Sequence, residues 1–171
     1  MIRTAFFLLL ACALLSAQQG FRPLFNGKDL SGWKHVGPGS FVTEDGMMKT
    51  VGGMGLLYFE KEKLGNCIVR IVYKTASDHA NSGVVIRLPE PPPDPWYGVH
   101  NGYEVQIDAG GDEWHSSGAI YSISKVSSRQ QKPKGEWNVM EIELRGPVTR
   151  VTLNGVLVNE YREGSPVPPR R

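Results

Sequence analysis

Glu104, Gln106 and Asp108 stand at every second position of Gly102-Tyr103-Glu104-Val105-Gln106-Ile107-Asp108. In a β-strand alternate side chains leave opposite faces, so these three project one way and Tyr103, Val105 and Ile107 the other. A face carrying two carboxylates and an amide is not one to bury in an apolar core. It suits acid–base chemistry or hydrogen bonding to a polar ligand. By the same count Asn81, Gly83, Val85 and Arg87 share one face of Asn81-Ser82-Gly83-Val84-Val85-Ile86-Arg87. Were the two strands neighbours, the Arg87 guanidinium would lie near those carboxylates and make a polar, charge-paired cleft.

The candidate catalytic set is therefore Glu104, Asp108, Arg87 and His79, with His115 an alternative to His79 and Asn81 and Gln106 as ligand-binding polar groups. Glu104 and Asp108, four residues apart along a strand, have backbones about 13 Å apart by strand rise. That is too far for two carboxyls to work directly as an acid–base pair unless the side chains converge, and it argues mildly against a simple pair. Each residue also has a plain reading: Asp108 as a turn cap before Ala109-Gly110-Gly111, Glu104 with Arg87 as a cross-strand ion pair, and His79 as an exposed loop histidine. Tyr58, Trp96, Trp114 and Tyr121 are candidate stacking platforms for a ligand's ring faces, with Tyr97 beside them, while Trp33 and Trp137 read as core. The Asp112-Glu113 pair lacks the spacing of a calcium loop, so no metal ligands are assigned; no cofactor is assigned either, and a divalent cation is left open. Nucleotide, esterase and zinc-ribbon readings are disfavoured, for there is no Gly-rich phosphate loop, serine elbow or Cys-x-x-Cys.

The elements that must position these residues read as all-β. Twelve prolines and twenty glycines in 171 residues interrupt any helical period after the N-terminal segment. Strands are expected at Gly55 to Phe59, Cys67 to Lys74, Gly83 to Leu88, Gly102 to Ile107, Gly118 to Ile123, Trp137 to Arg145, Val148 to Leu153 and Val156 to Tyr161. Asn154-Gly155 between the last two signals a two-residue hairpin. Pro89 through Gly98 reads as a stiff excursion whose Trp96-Tyr97 pair overhangs the cleft, or as a plain connection. Many short strands with turns between them indicate a sandwich or jelly roll.

Met1 to Thr4 carries one arginine, Ala5 to Leu15 is almost wholly apolar, and Ser16-Ala17 supplies small residues. That is a signal peptide over 1–17, with a single domain over 18–171; a lipoprotein signal at Cys12 would have too short an apolar run. The expected localisation is export to the periplasm or medium, with no transmembrane span in the mature chain. Nineteen basic and seventeen acidic side chains give no electrostatic footprint for nucleic acid. Once Cys12 is removed Cys67 has no partner for a disulfide, and it reads as a small buried hydrophobe.

Leu24-Phe25-Asn26-Gly27-Lys28-Asp29-Leu30-Ser31-Gly32-Trp33 resembles the opening signature of the 3-keto-disaccharide hydrolase family. So do Asn81-Ser82-Gly83 leading to Arg87, the Gly102–Asp108 block, Gly118-Ala119-Ile120-Tyr121, Gly135-Glu136-Trp137-Asn138 and Leu153-Asn154-Gly155, in the family's order from about Phe21 to Arg162. The resemblance implies a concanavalin A-like jelly roll of two curved antiparallel sheets with carbohydrate on the concave face. It implies cleavage of glycosidic bonds in sugars oxidised to a ketone at carbon 3, without a residue-by-residue catalytic set. Against the family pattern, the Ser165-Pro166-Val167-Pro168-Pro169-Arg170-Arg171 end predicts a sandwich lacking its closing C-terminal strand.

A ketone at carbon 3 acidifies the carbon 2 hydrogen, so a base can form an enolate that expels the group on carbon 1, and water then adds to the enone. Here Glu104 or Asp108 would be the base, His79 or His115 an acid or metal ligand, and Arg87 the enolate stabiliser. The alternative function is a non-catalytic carbohydrate-binding module, since lectin-like folds host both.

Overall fold

The computed structural model of this chain describes residues 20–167 and 169. The expected signal peptide at 1–17 and the Cys12 alternative lie outside the described residues. Ten strands and one short helix follow in order: β1(Trp33–Val36), β2(Ser40–Glu44), β3(Met47–Val51), β4(Leu56–Phe59), β5(Cys67–Tyr73), β6(Asn81–Ile86), α1(Pro95–Asn101), β7(Tyr103–Asp108), β8(Asn138–Arg145), β9(Val148–Leu153) and β10(Val156–Arg162). All strand pairs are antiparallel, in an all-β jelly-roll sandwich whose sheets do not close into a barrel. After β10 no further strand occurs among the described residues.

One layer is the four-stranded sheet β10-β9-β8-β5, and the other is built on the β6-β7 pair. Strand alternation sends Met140, Ile142 and Leu144 of β8, Val151 and Leu153 of β9 and Val158 of β10 inward. They meet Ile86 of β6 and Val105 and Ile107 of β7 in one buried cluster. Residues that are apolar at alternate positions thus form both sheets and pack them together. Across the outer face of the four-stranded sheet runs a row of charge pairs, Arg70 with Glu141, Glu143 with Arg145 and Arg150, and Arg150 with Glu160.

The β9-β10 connection is the expected hairpin, with Asn154 and Gly155 at φ 51° and 84°. Asn154 also accepts from the Val139 amide at 2.9 Å and donates to Asn138 Oδ1 at 2.9 Å, tying the turn to β8. Three expectations are corrected. The Gly118–Ile123 segment lies beside β7, with Gln106 N donating to Ala119 O and Tyr121 N to Glu104 O, both at 2.9 Å. It is not a strand, because the Ile120 amide turns to Ser124 O at 3.0 Å and folds the chain into a tight turn. The Pro-rich excursion contains α1, which Asp94 caps by accepting from Tyr97 N at 3.0 Å while Pro95 fills the first turn. Trp137 is not core: it is 44% exposed, and Lys74 Nζ lies 4.9 Å from its ring centre.

Candidate functional site

Val105 and Ile107 face the core, so the same strand turns Glu104, Gln106 and Asp108 to the opposite side of the β6-β7 pair. The register sets Asn81 against Asp108, Gly83 against Gln106 and Val85 against Glu104. Beyond β7, Ile120 bridges Val105 and Ala119 packs in the core cluster, while Tyr121 N donates to Glu104 O and so stands beside the Glu104 backbone. Helix α1 covers part of the face: Gly98 packs against Val85 and against Leu56 of β4. Tyr58 shares its face of β4 with Leu56.

Glu104 is half-buried, and among the described residues no hydrogen bond or ion pair holds its carboxylate. Burial alone pushes its carboxyl above the usual glutamate range, with no cation opposing the shift. Its side chain lies across Gly83, where a built β-carbon would stand 2.7 Å from Glu104 Cδ. Gly83 is the gap that lets the carboxylate lie flat on β6. Gln106 is 1% exposed; its Nε2 donates to Asn81 Oδ1 at 3.1 Å, and its Oε1 has no protein partner. An amide oxygen buried without a partner, on the strand that carries Glu104, is an acceptor still to be satisfied by a hydroxyl or water.

Asp108 behaves as the plain reading has it. Its Oδ1 accepts from Gly110 N at 2.7 Å and Gly111 N at 3.2 Å, capping the turn that leaves β7. His79 sits exposed in the β5-β6 loop, whose Asp78 carbonyl approaches Gly110. Arg87 departs from the expected face. Strand β6 stops at Ile86, Arg87 takes φ +57°, and its guanidinium crosses to the other layer. There it donates to Gly146 O at 2.7 Å and Val148 O at 3.0 Å, with Glu163 3.7 Å away, so the expected Glu104–Arg87 pairing is not formed. Two depressions of about 260 and 250 Å³ open elsewhere, around Asn66 and Leu144, the first touching Arg87. Neither is lined by a carboxylate or an imidazole, so the acid–base groups sit instead on the open β6-β7 face.

The aromatic candidates divide. Tyr121 is 40% exposed at the Glu104 edge, with the His115 ring 5.0 Å away in a T-shaped contact. Trp96 on α1 is 58% exposed and stacks on His100 at 6.4 Å. Trp114 lies in the 109–116 loop, its amide donating to Asp112 Oδ1 at 2.9 Å and Lys125 Nζ 5.9 Å above its ring.

The family description "3-keto-alpha-glucoside-1,2-lyase-like domain" matches residues 20–170. The chain belongs to that family. Among solved structures it is similar to two described as putative glycosyl hydrolases from Parabacteroides distasonis ATCC 8503. One, at 1.70 Å, is 25% identical with TM-score 0.67, covering 83% of this chain and 71% of the other. The second, at 2.00 Å, is 28% identical with TM-score 0.70, covering 86% and 80%. No curated protein matches. Family and neighbours together support a carbohydrate-active function.

Within this 3-keto-glucoside lyase-like domain the structure brings Glu104, Gln106 and Asn81 onto one face, sets the Tyr121 backbone beside Glu104 and takes Arg87 away. Among the described residues no cluster of three or more His, Cys, Asp or Glu could hold a metal, and no helix is long and apolar enough to cross a membrane. Sequence reasoning missed Ser122, which meets His115 through the fold of the loop between them. No periodicity signals that contact.

Proposed function

We propose that this domain cleaves the glycosidic bond of 3-keto-glycosides by elimination and hydration, with Glu104 as the base that removes the carbon 2 proton. The observation that carries the reading is the Glu104 carboxyl: half-buried, free of any cation and raised by desolvation on the sheet face that it shares with Gln106 and Asn81. A base with a raised pKa is better matched to a weakly acidic C–H bond near neutral pH than an ordinary surface glutamate. Gln106 Oε1 and Asn81 supply hydrogen bonds for sugar hydroxyls, Tyr121 and Trp96 supply ring faces, and Tyr58 lines the β4 side. Cleavage follows export, a reading supported by the charged, apolar, small-residue order of residues 1–17. N-terminal sequencing of the protein recovered from its native host tests that: a chain still starting at Met1 overturns it.

The test of function is chromatographic analysis after incubation with a 3-keto-glucoside and with its unoxidised parent. Release of the aglycone from the keto sugar alone is the expected result. Glu104→Gln should lower turnover about 10²- to 10⁴-fold, the span of one acid–base group, while leaving binding largely intact. A non-catalytic sugar-binding module is the second reading, favoured by the exposed Trp96 and Tyr121. It predicts binding of the same sugar with no release by the wild-type protein.

A further inference from the structure

The elimination needs a proton for the departing oxygen, and Asp108 is committed to the turn it caps. Beside Tyr121, in the segment that hydrogen-bonds to the backbone of β7, stands a chain of three polar side chains. Asp112 Oδ1 meets His115 Nδ1 at 2.7 Å, and His115 Nε2 meets Ser122 Oγ at 3.0 Å. An ionised carboxylate can only accept, so it holds a proton on Nδ1 and leaves Nε2 and the hydroxyl to exchange theirs. The His115 ring rests edge-on against Tyr121, whose amide donates to Glu104 O at 2.9 Å, so the chain is joined to the strand that carries the base. Ser122 adopts φ +56°, a left-handed conformation that costs a non-glycine residue about 1 kcal/mol and recurs at functional sites.

The order Asp–His–Ser is that of a serine hydrolase, but the two backbone amides at the hydroxyl are already engaged. The Ser122 amide is taken by Trp114 O and the Ile123 amide by Ile120 O. Without donors for a tetrahedral oxyanion the chain is poorly fitted to acyl transfer and well fitted to moving a proton.

We infer that Ser122 donates the proton to the leaving oxygen and is recharged by His115, with Asp112 as the positioning residue; the inference rests on the 3-keto-glycoside reading. In the cleavage step Glu104 takes the carbon 2 proton and the bond from carbon 1 to oxygen breaks, its electron pair going to that oxygen. The oxygen takes the Ser122 proton as the hydroxyl takes the Nε2 proton of the imidazolium. In the hydration step water passes a proton through Ser122 to His115, the hydroxide adds to carbon 1 of the enone, and Glu104 returns its proton to carbon 2. The sum is one glycoside and one water giving one free 3-keto sugar and one alcohol.

The test compares a 3-keto disaccharide, whose alkoxide must be protonated to leave, with a 4-nitrophenyl 3-keto-glucoside, whose phenolate leaves unaided, following aglycone release in the first turnover. Ser122→Ala and His115→Asn should slow the disaccharide about 10²- to 10⁴-fold and the nitrophenyl substrate by less than about threefold, the pattern of a lost general acid. Asp112→Asn should lower kcat for the disaccharide at unchanged KM and spare the nitrophenyl substrate. Equal slowing of both substrates, or no slowing of either, in variants whose melting temperature matches wild type overturns the assignment while leaving the 3-keto reading standing. Failure of the wild-type protein to release either aglycone overturns both.

Discussion

Glu104 owes its position to a residue without a side chain. Gly83→Ala places a methyl where the Glu104 carboxylate now lies, and the neighbour that must yield is the far end of a flexible side chain, not backbone. The expected outcome is a fall in turnover of at least about tenfold, since a misplaced base loses its alignment. The melting temperature should move by only about 2–4 °C, as for a change near 1 kcal/mol in a domain of this size. Steady-state kinetics beside calorimetry checks it, and unchanged kinetics would detach the carboxylate's present pose from function. Burial raises the Glu104 pKa, so the folded state holds its proton to higher pH than the unfolded chain. Stability is therefore lost as pH rises from the ordinary glutamate range through the raised value. Glu104→Gln should be the more stable protein above that window and equal to wild type below it, as melting curves from pH 4 to pH 8 would show. The two-residue period revealed which side chains share this face, because alternation is a property of any strand. It misplaced Arg87, where a single left-handed residue ends the alternation.

At the scale of elements, the two hydrophobic layers were legible and the pieces around the site less so. Strands β5 to β10 announce themselves by β-branched runs and by Asn154-Gly155. Strands β1 to β3 carry glycine-punctuated runs of four or five residues that rise above no local signal and gain order through pairing, β1 with β4 and β2 with β3. Helix α1 has seven residues, too few for a visible helical period and too few to be stable alone. It persists because Asp94 caps it and because Gly98 lets it press onto Val85 and Leu56. Asp94→Ala should cost about 1 kcal/mol, the value of an N-cap, by urea unfolding. Since α1 carries Trp96 beside the Glu104 face, the same variant should raise KM more than it lowers kcat. A change in kcat alone would separate this helix from ligand binding.

For the whole molecule, the two faces of the sandwich divide the work. Both inner faces are spent on one cluster, Met140, Ile142, Val151, Leu153 and Val158 against Val105 and Ile107, and that leaves the outer side of β6-β7 free to carry polar groups. The outer side of the four-stranded sheet carries exposed charge pairs, such as Arg150 with Glu160, which water and salt screen. Stability is thus expected from the layer between the sheets and not from the charged exterior. Ile142 is fully buried in the middle of that layer, so Ile142→Ala removes methylene groups and leaves a cavity that the two sheets cannot close. The expected loss is about 3 kcal/mol, within the 2–5 kcal/mol span of such truncations. Arg150→Ala should leave the denaturation midpoint within measurement error of wild type. Urea titrations of both variants at low and high salt decide the matter. An Arg150 variant as unstable as the Ile142 variant would mean that the exterior charge pairs hold the sheet together, and the site's rigidity would then depend on ionic strength.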